Sequence, residues 1–494
     1  MRWLPVYFVK LFRAAPFFII AFALWSCSAP AAVKTLRIVS YNVDCSDQGS
    51  DNNITNSAHS LPTVIRAIGL HHIGTNAQQV DIIGLEELES TSLSNLVVQL
   101  TNFYGAGTYT WDKTTDPNTG GGPDGLVYNP TRVQVISART LKTGQTVLLQ
   151  SNGTYTSAFS PGGGINGVTR APMLYQLRPV GYGSNMDLYM YVSHARSTSD
   201  DAVGDARYAE AQAVRSDAKY KLPAKAHILY SGDWNLFNGS NENAYKCLTG
   251  QMTSDGIDWS DTSSFWANTN QTQGYDPTSK TSPPTTTTWT NGVGDNATYL
   301  YGYSTSSLGS RIDIHLLNAS MLAAYNNQGG IQLASDTSDP FDTANFPSSQ
   351  YPYAFEVFGN NGSTARSSSA TSAGNHALND LAGTVPNAST TYSDILLTGS
   401  GSTFNGSDHY PIDGDYNIVQ PPPATPVLTA QPFTNGNFQL KLFSTTNTPF
   451  TIQASTNLAT WTDIGSGTTD TNGFLLFQDT NALPSRFYRA LWSP

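Results

Sequence analysis

Apolar runs recur along the chain, and nearly all stop at polar residues of one restricted kind. TLRIVSYN (35–42), DIIGLEE (81–87), LYMYVSH (188–194), HILYSGDWN (227–235) and RIDIHLLN (311–318) are too continuously apolar for half-exposed strands. They read as strands of sheets covered on both faces. Between them the period changes. LPTVIRAIGL (61–70) sets Leu61, Val64, Ile65 and Ile68 at helical spacing, and TSLSNLVVQL (91–100) repeats the pattern with Leu93, Leu96, Val97 and Leu100. DARYAEAQAVRSDAKYKL (205–222) predicts a helix between the third and fourth of these strands. Strands alternating with helices in this way, from residue 34 up to about residue 418, predict an α/β architecture, and a two-sheet sandwich flanked by helices accommodates the pattern.

The pattern changes again after the proline-rich linker VQPPPATP (419–426). FQLKLFS, FTIQAST, FLLFQD and RFYRALW are short alternating segments between Asn-, Gly- and Thr-rich turns, which predicts a small all-β sandwich module over 427–494. Its aromatics Trp461, Phe474, Phe477, Phe487, Tyr488 and Trp492 suit either the core of such a module or a surface that contacts a polymer or a cell envelope. Two stretches lie outside both patterns. Residues 259–308 are rich in Ser, Thr, Asn and Gly and read as surface loops. The long 319–406 insertion, containing YPYAFEVFGNNGST (351–364), is either an inert decoration or a loop set that shapes substrate choice.

At the N-terminus, Arg2, Lys10 and Arg13 precede the apolar run APFFIIAFAL (15–24) and then small residues, the pattern of a secretory signal ending near Ala29-Pro30-Ala31. Cleavage there is preferred over lipoprotein anchoring at Cys27, because Trp25 is an awkward residue for a lipoprotein site. The expectation is a secreted, periplasmic or cell-surface protein with residues 1–31 as signal peptide. Removing that segment takes away three basic residues and no acidic one, so the formal charge of −11 falls by three to −14. A chain that acidic has no broad basic surface for nucleic acid; a polyanion would be held by local arginines and a metal. Cys45 and Cys247 would then remain, as one disulfide or as two buried thiols.

The polar residues at the strand ends carry the chemistry. Asn42, Glu87, His194, Asp233 with Asn235, Asp313, and finally Ser407-Asp408-His409 occur in that order. Carboxylates, amides and imidazoles gathered at strand ends are the equipment of a divalent-metal phosphoesterase. The blocks YNV, GLEEL, VSH, GDWN, RID and SDH, in this order, resemble the endonuclease/exonuclease/phosphatase superfamily with its deoxyribonuclease-I-like fold. DGLVYNPTRVQVI (124–136) and VTRAPMLYQL (168–177) resemble two further strands of that family, and HARSTSDDAV (194–203) its deoxyribonuclease branch. The C-terminal module resembles immunoglobulin-like or fibronectin-like modules of exported enzymes.

The resemblance implies a role for each position. Glu87 is the principal metal ligand, with Glu86 turned to the opposite face by strand alternation, and a register one residue off would exchange the two; Asn42 and Asp408 complete the shell around Mg2+ or Mn2+. Asp233 and Asn235 contact the scissile phosphate and the attacking water, or bind the metal. His409 is the general base and Asp313 fixes its tautomer. His194 is a second imidazole near the phosphate, as acid or hydrogen-bond donor; the acidic residue that supports it in the family has only Asp124 as a counterpart here. Arg170 clamps a non-bridging oxygen or braces the sheet. Asparagine after a strand is also an ordinary turn former, and G-D-x-N an ordinary turn. The fragments at 51–53 and 413–415 suit a structural Ca2+ or plain turns. His315 alternates inward, and the other histidines form no zinc spacing.

These readings predict an exported metal-dependent phosphodiesterase acting on nucleic acid, with no obligate protein partner. A sphingomyelinase-type phospholipase is the enzymatic alternative, with Phe265 and Trp266 as a membrane-entering pair; a phosphomonoesterase of small soluble substrates is another. A surface-binding protein on a catalytically dead scaffold is the non-enzymatic alternative.

Overall fold

The computed structural model describes residues 31–55, 61–70, 76–112, 121–141, 170–197, 206–237, 242–250, 312–326, 411–434, 437–480 and 486–492, with short pieces that include 355–357, Ser407 and His409. Most of the signal segment, Cys27 included, the pair Phe265-Trp266, Asp408 and most of the 319–406 insertion lie outside the described residues.

The strands of the two main sheets, in chain order, are β1 (Ala32–Asn42), β2 (Ile82–Glu86), β3 (Thr110–Trp111), β4 (Gly125–Tyr128), β5 (Val133–Thr140), β6 (Met173–Pro179), β7 (Leu188–Val192), β8 (His227–Asp233), β9 (Asp313–Leu317), β10 (Phe355–Val357) and β11 (Ile412–Gln420). They form a six-stranded sheet in the order β10-β11-β1-β2-β4-β3 and a five-stranded sheet in the order β9-β8-β7-β6-β5. Both are mixed. In the first, β1 and β2 run parallel and β2 and β4 antiparallel; in the second, β7 and β8 run parallel with antiparallel neighbours on either side. This is the expected two-sheet α/β sandwich.

The sheets meet face to face through small and apolar side chains. A Cβ on Gly84 of β2 would lie 2.7 Å from Met190 Cε and 3.0 Å from Val192 Cγ2 of β7. The lack of a side chain at Gly84 therefore lets the two sheets approach. The burial of β2, β7 and β9 at every residue explains why their sequences do not alternate.

Helix α1 (Leu61–Leu70) buries Leu61, Val64, Ile65 and Ile68, the four positions its periodicity singles out. Helix α2 (Ser92–Tyr104) buries Leu96 and Leu100. Asp51 lies at its start, accepting from the hydroxyls of Thr91 and Ser92 and, at 2.9 Å, from the Asn95 amide. Helix α3 (Ala206–Lys221) is buried from Ala206 to Ala218, charged residues included, and α4 (Asn243–Thr249) and α5 (Ala319–Asn326) follow β8 and β9. At the end of the sandwich away from Asn42, Arg37 is fully buried and bonds both carboxylate oxygens of Asp415 at 2.8 and 3.0 Å. Asp51 of the 51–53 fragment thus serves a helix start, and Asp415 of the 413–415 fragment a buried ion pair.

Cys45 and Cys247 are both buried free thiols, so of the two alternatives for this pair the disulfide is absent. Burial, with the nearby Asp51 charge, pushes the Cys45 thiol well above the usual range.

A second compact unit is formed by Val419–Pro494, with Arg178–Met186 and the chain up to Lys34. Its strands are β12 (Val427–Thr434), β13 (Asn437–Phe443), β14 (Pro449–Ser455), β15 (Thr462–Thr468), β16 (Phe474–Asp479) and β17 (Phe487–Trp492). They make two three-stranded antiparallel sheets, β12-β13-β16 and β15-β14-β17. Of the six aromatics, Tyr488 and Trp492 belong to the buried core with Phe438 and Phe450, Phe487 is buried, and Phe477 packs against that core. Phe474 is exposed against Phe443, and Trp461 lies beneath the Arg489 guanidinium.

Candidate active site

One end of the sandwich collects the polar residues that close its strands. Asn42 is the last residue of β1 and pairs in register with Glu86, the last of β2. Asp233, the last of β8, lies opposite Asp313, the first of β9. His194 follows β7 by two residues, and His409 stands just ahead of β11. The site is therefore shared between the two sheets, because each sheet brings strand ends to the same side.

The side chains converge. The Asn42 amide donates to Glu87 Oε1 at 2.9 Å and to Asp233 Oδ2 at 3.2 Å. His194 Nε2 lies 3.3 Å from Glu87 Oε1 and 3.7 Å from Asp233 Oδ2. His409 Nδ1 is 2.7 Å from Asp313 Oδ2, and its Nε2 is 3.8 Å from Asp233 Oδ2. Ser407 ties the last segment in: its hydroxyl donates to the Asn42 carbonyl at 2.6 Å and accepts the His409 N–H at 3.0 Å. Asn42, Glu87, His194, Asp233, Asp313 and His409 are all less than a tenth exposed.

Backbone conformation aims two of these residues. Glu87 has φ 57° and Asn235 φ 50°, left-handed values that non-glycine residues seldom adopt. At Glu87 the turn ends the strand alternation. The expectation that Glu86 and Glu87 point to opposite faces fails for this reason. Glu86 goes between the sheets, where Ser40 donates to it at 3.2 Å, while Glu87 swings to Asn42 and His194. The Glu87 carbonyl accepts from Cys45 N and Ser46 N, each at 2.9 Å, which holds the turn. Asn235 donates from its side chain to the Ala195 carbonyl at 2.9 Å and from its backbone to Asp233 Oδ1 at 2.8 Å. It buttresses the Asp233 and His194 loops.

The support for His194 is not acidic. Its Nδ1 lies 2.9 Å from the carbonyl of Gly121, not beside Asp124. A carbonyl only accepts, so Nδ1 carries the hydrogen, and in the neutral ring Nε2 is an acceptor. The Arg170 guanidinium donates to that nitrogen and, at 3.1 Å, to the Ala195 carbonyl. Gly121 (φ 90°) is required here, since a Cβ would fall 2.4 Å from the Arg170 guanidinium carbon. Reading the sequence missed this residue; the signal was the GGGPDG run (120–125) just before β4.

Charge crowding follows from the geometry. Burial and the neighbouring Asp313 raise the carboxyl of Asp233, and burial with Asp313 and Asp233 raises that of Glu86 well above its ordinary range. Burial pulls His194 down to about 4, against the pull of Asp233. Two sets of ligand atoms lie close enough for one ion: Glu87, His194 and Asp233, and Asp233, Asp313 and His409. Strand β10, a described piece of the insertion, pairs with Ile412–Gly414 and runs toward the end where His409 sits.

A two-sheet α/β sandwich thus gathers carboxylates, an amide and two imidazoles at one end, with donor atoms close enough together to hold a cation. No protein-family model matches the chain, and no curated protein matches it. Among solved structures it is similar to an endonuclease/exonuclease/phosphatase family protein from Bacteroides thetaiotaomicron, at 12% identity over 78% of this chain and 99% of that one, with a TM-score of 0.40. It is similar to a mannosyl-6-phosphatase of the same organism at 12% identity, 78% and 99% coverage and a TM-score of 0.38. ANGEL2, described as a 2',3'-cyclic phosphatase, matches at 14% identity, 79% and 98% coverage and a TM-score of 0.37. At these identities and TM-scores nothing about activity passes from those proteins to this chain.

Proposed function

We propose that this chain is an exported, divalent-metal-dependent phosphoesterase that hydrolyses phosphodiesters, nucleic acid first among them. The observation that supports it most is the joint placement of His409 on Asp313 and of Glu87, Asn42 and His194 around Asp233, all buried at one end of the sandwich. The donor set fits a hard cation, Mg2+ or Mn2+. Buried carboxylates crowd one another there, and burial with the Asp313 charge raises Asp233, a cost that a cation between them offsets. Glu87 and Asp233 would hold the ion, with Asp408 as a further expected ligand; Asn42, expected as a ligand, instead turns its NH2 to both carboxylates, its oxygen accepting the Asp44 N–H at 3.0 Å, and would orient them. When bound, the cation shields the phosphate charge and stabilises the departing oxygen.

The chain's own groups then divide the work. His409 donates Nδ1–H to Asp313, so in the neutral ring Nε2 carries the lone pair that takes a proton from water; Asp313 stabilises the imidazolium that results. Asp233 and Asn235 orient the water and the phosphate. Arg170 leaves the neutral His194 ring to grip a non-bridging oxygen, and His194 keeps the guanidinium aimed until substrate arrives.

The test is hydrolysis of single- and double-stranded DNA, RNA, sphingomyelin and simple phosphate mono- and diesters with Mg2+ or Mn2+. EDTA should abolish turnover, and His409→Ala should lower kcat about 10²–10⁴-fold, the range for loss of a general base. Turnover unaffected by the substitution would overturn the mechanism; turnover of sphingomyelin alone would overturn the choice of substrate.

A further inference from the structure

Beneath the candidate site lies a buried carboxylate that none of the roles above employs. Glu210, on the first turns of α3, is fully buried, and its two oxygens reach two separate loops. Oε1 accepts the backbone N–H of Arg170 at 2.9 Å, and Oε2 that of Arg196 at 3.1 Å. One residue thus fixes the peptide that launches the Arg170 side chain and the peptide two residues beyond His194. A neighbour on the same helix completes the grip. Arg207, also fully buried, donates to the Arg196 carbonyl at 3.0 Å and is itself held by Glu242 at 2.8 Å.

The geometry has a chemical consequence. Arg170 closes on His194 Nε2 and the Ala195 carbonyl, so the placement of its guanidinium depends on the separation of the 170 and 194–196 segments. Glu210 sets that separation, and each of its oxygens is committed to one side. A charged acceptor shared by two N–H donors is stronger than a neutral one, and it tolerates little displacement. A helix is also a rigid mount for it.

We propose that Glu210 is a positioning residue that sets the phosphate-gripping arginine against the catalytic histidine loop. This rests on the phosphoesterase reading and deepens it. Glu210 touches neither substrate nor metal; it acts through Arg170.

The discriminating substitution is Glu210→Gln, which keeps the shape but offers one oxygen and one NH2, so one backbone N–H meets a donor. Purified wild type, Glu210→Gln, Arg170→Ala and the double variant are compared with bis(4-nitrophenyl) phosphate and Mn2+, with thermal melts to confirm folding. Glu210→Gln should lower kcat/KM about tenfold to a hundredfold, the scale of a lost charge-assisted hydrogen bond or a small misplacement. In the Arg170→Ala background that loss should shrink to within about twofold, since the residue it positions is gone. An undiminished loss in that background, or unchanged kcat/KM in a folded Glu210→Gln, overturns the proposal. Calorimetric titration with inorganic phosphate separates this from failure of the functional reading. If wild type is inactive on the diester yet binds phosphate, Glu210→Gln must weaken that binding as Arg170→Ala does, and equal affinity overturns the proposal. If wild type neither turns over the diester nor binds phosphate, both readings fall.

Discussion

Single residues at this site are set by their surroundings more than by their type. Two histidines show it. His409 and His315 are near neighbours in space around Asp313, yet one faces a carboxylate and the other is sealed against Tyr416, 3.0 Å from its hydroxyl. Burial lowers His315 to about 3 from its ordinary 6.5. The unfolded chain therefore binds a proton below pH 6.5 that the folded chain refuses until about pH 3. Stability from this group is fully present above pH 6.5 and is lost as pH falls toward 3. Melting temperature in EDTA should drop between pH 7 and pH 5, and His315→Gln should drop less over the same interval. Parallel slopes for the two proteins would remove His315 as the cause.

Elements pack here because particular positions carry almost no side chain or carry a matched one. Glycine at residue 84 leaves room for β7 against β2; an added methyl would sit 2.7 Å from the movable Met190 Cε and 3.0 Å from the stiffer Val192 Cγ2. Gly84→Ala should therefore cost about 1–3 kcal/mol through overpacking, read as a lower urea midpoint at unchanged m. A neutral effect would mean the sheets have room to part. Helix α3 shows the matched case. Its sequence reads as polar and amphipathic, but it is buried on nearly every side. Arg215 bonds the carbonyls of Cys247 and Leu248, and Asp217 meets Tyr191 and, at 2.7 Å, Arg139. Each buried charge has a partner, which is what makes that burial tolerable.

At the scale of the whole molecule the acidic balance governs how a polyanion would be held. With a mature charge of −14 expected, Arg170 on His194 and Arg196 two residues after it are the arginines of these segments among the described residues, so one or two phosphate contacts are expected. Affinity for a single-stranded oligonucleotide should fall with salt at a log–log slope of about −0.7 to −1.4, from about −0.7 per contact. Anisotropy titrations of His409→Ala between 50 and 200 mM KCl would measure it. A slope steeper than about −4 would reveal a basic surface that the residues around His194 do not supply.

The sequence by itself determined the alternation of strands and helices, the two-sheet class and the order of polar strand ends. Continuous apolar runs and helical spacing are local signals and survive without tertiary context. The short alternating strands after residue 427 were legible for the same reason, although Val427–Thr434 and Thr462–Thr468 lack a clear period and went unread. Only the tertiary structure decided which glutamate faces the site, because a left-handed φ at Glu87 overrides alternation. It alone gave His194 a carbonyl for a partner, left Cys45 and Cys247 as thiols, and placed Glu210 under two loops some 14 and 40 residues away in the chain. Each of those outcomes depends on groups distant in sequence meeting in space, and no periodicity along a chain records such a meeting.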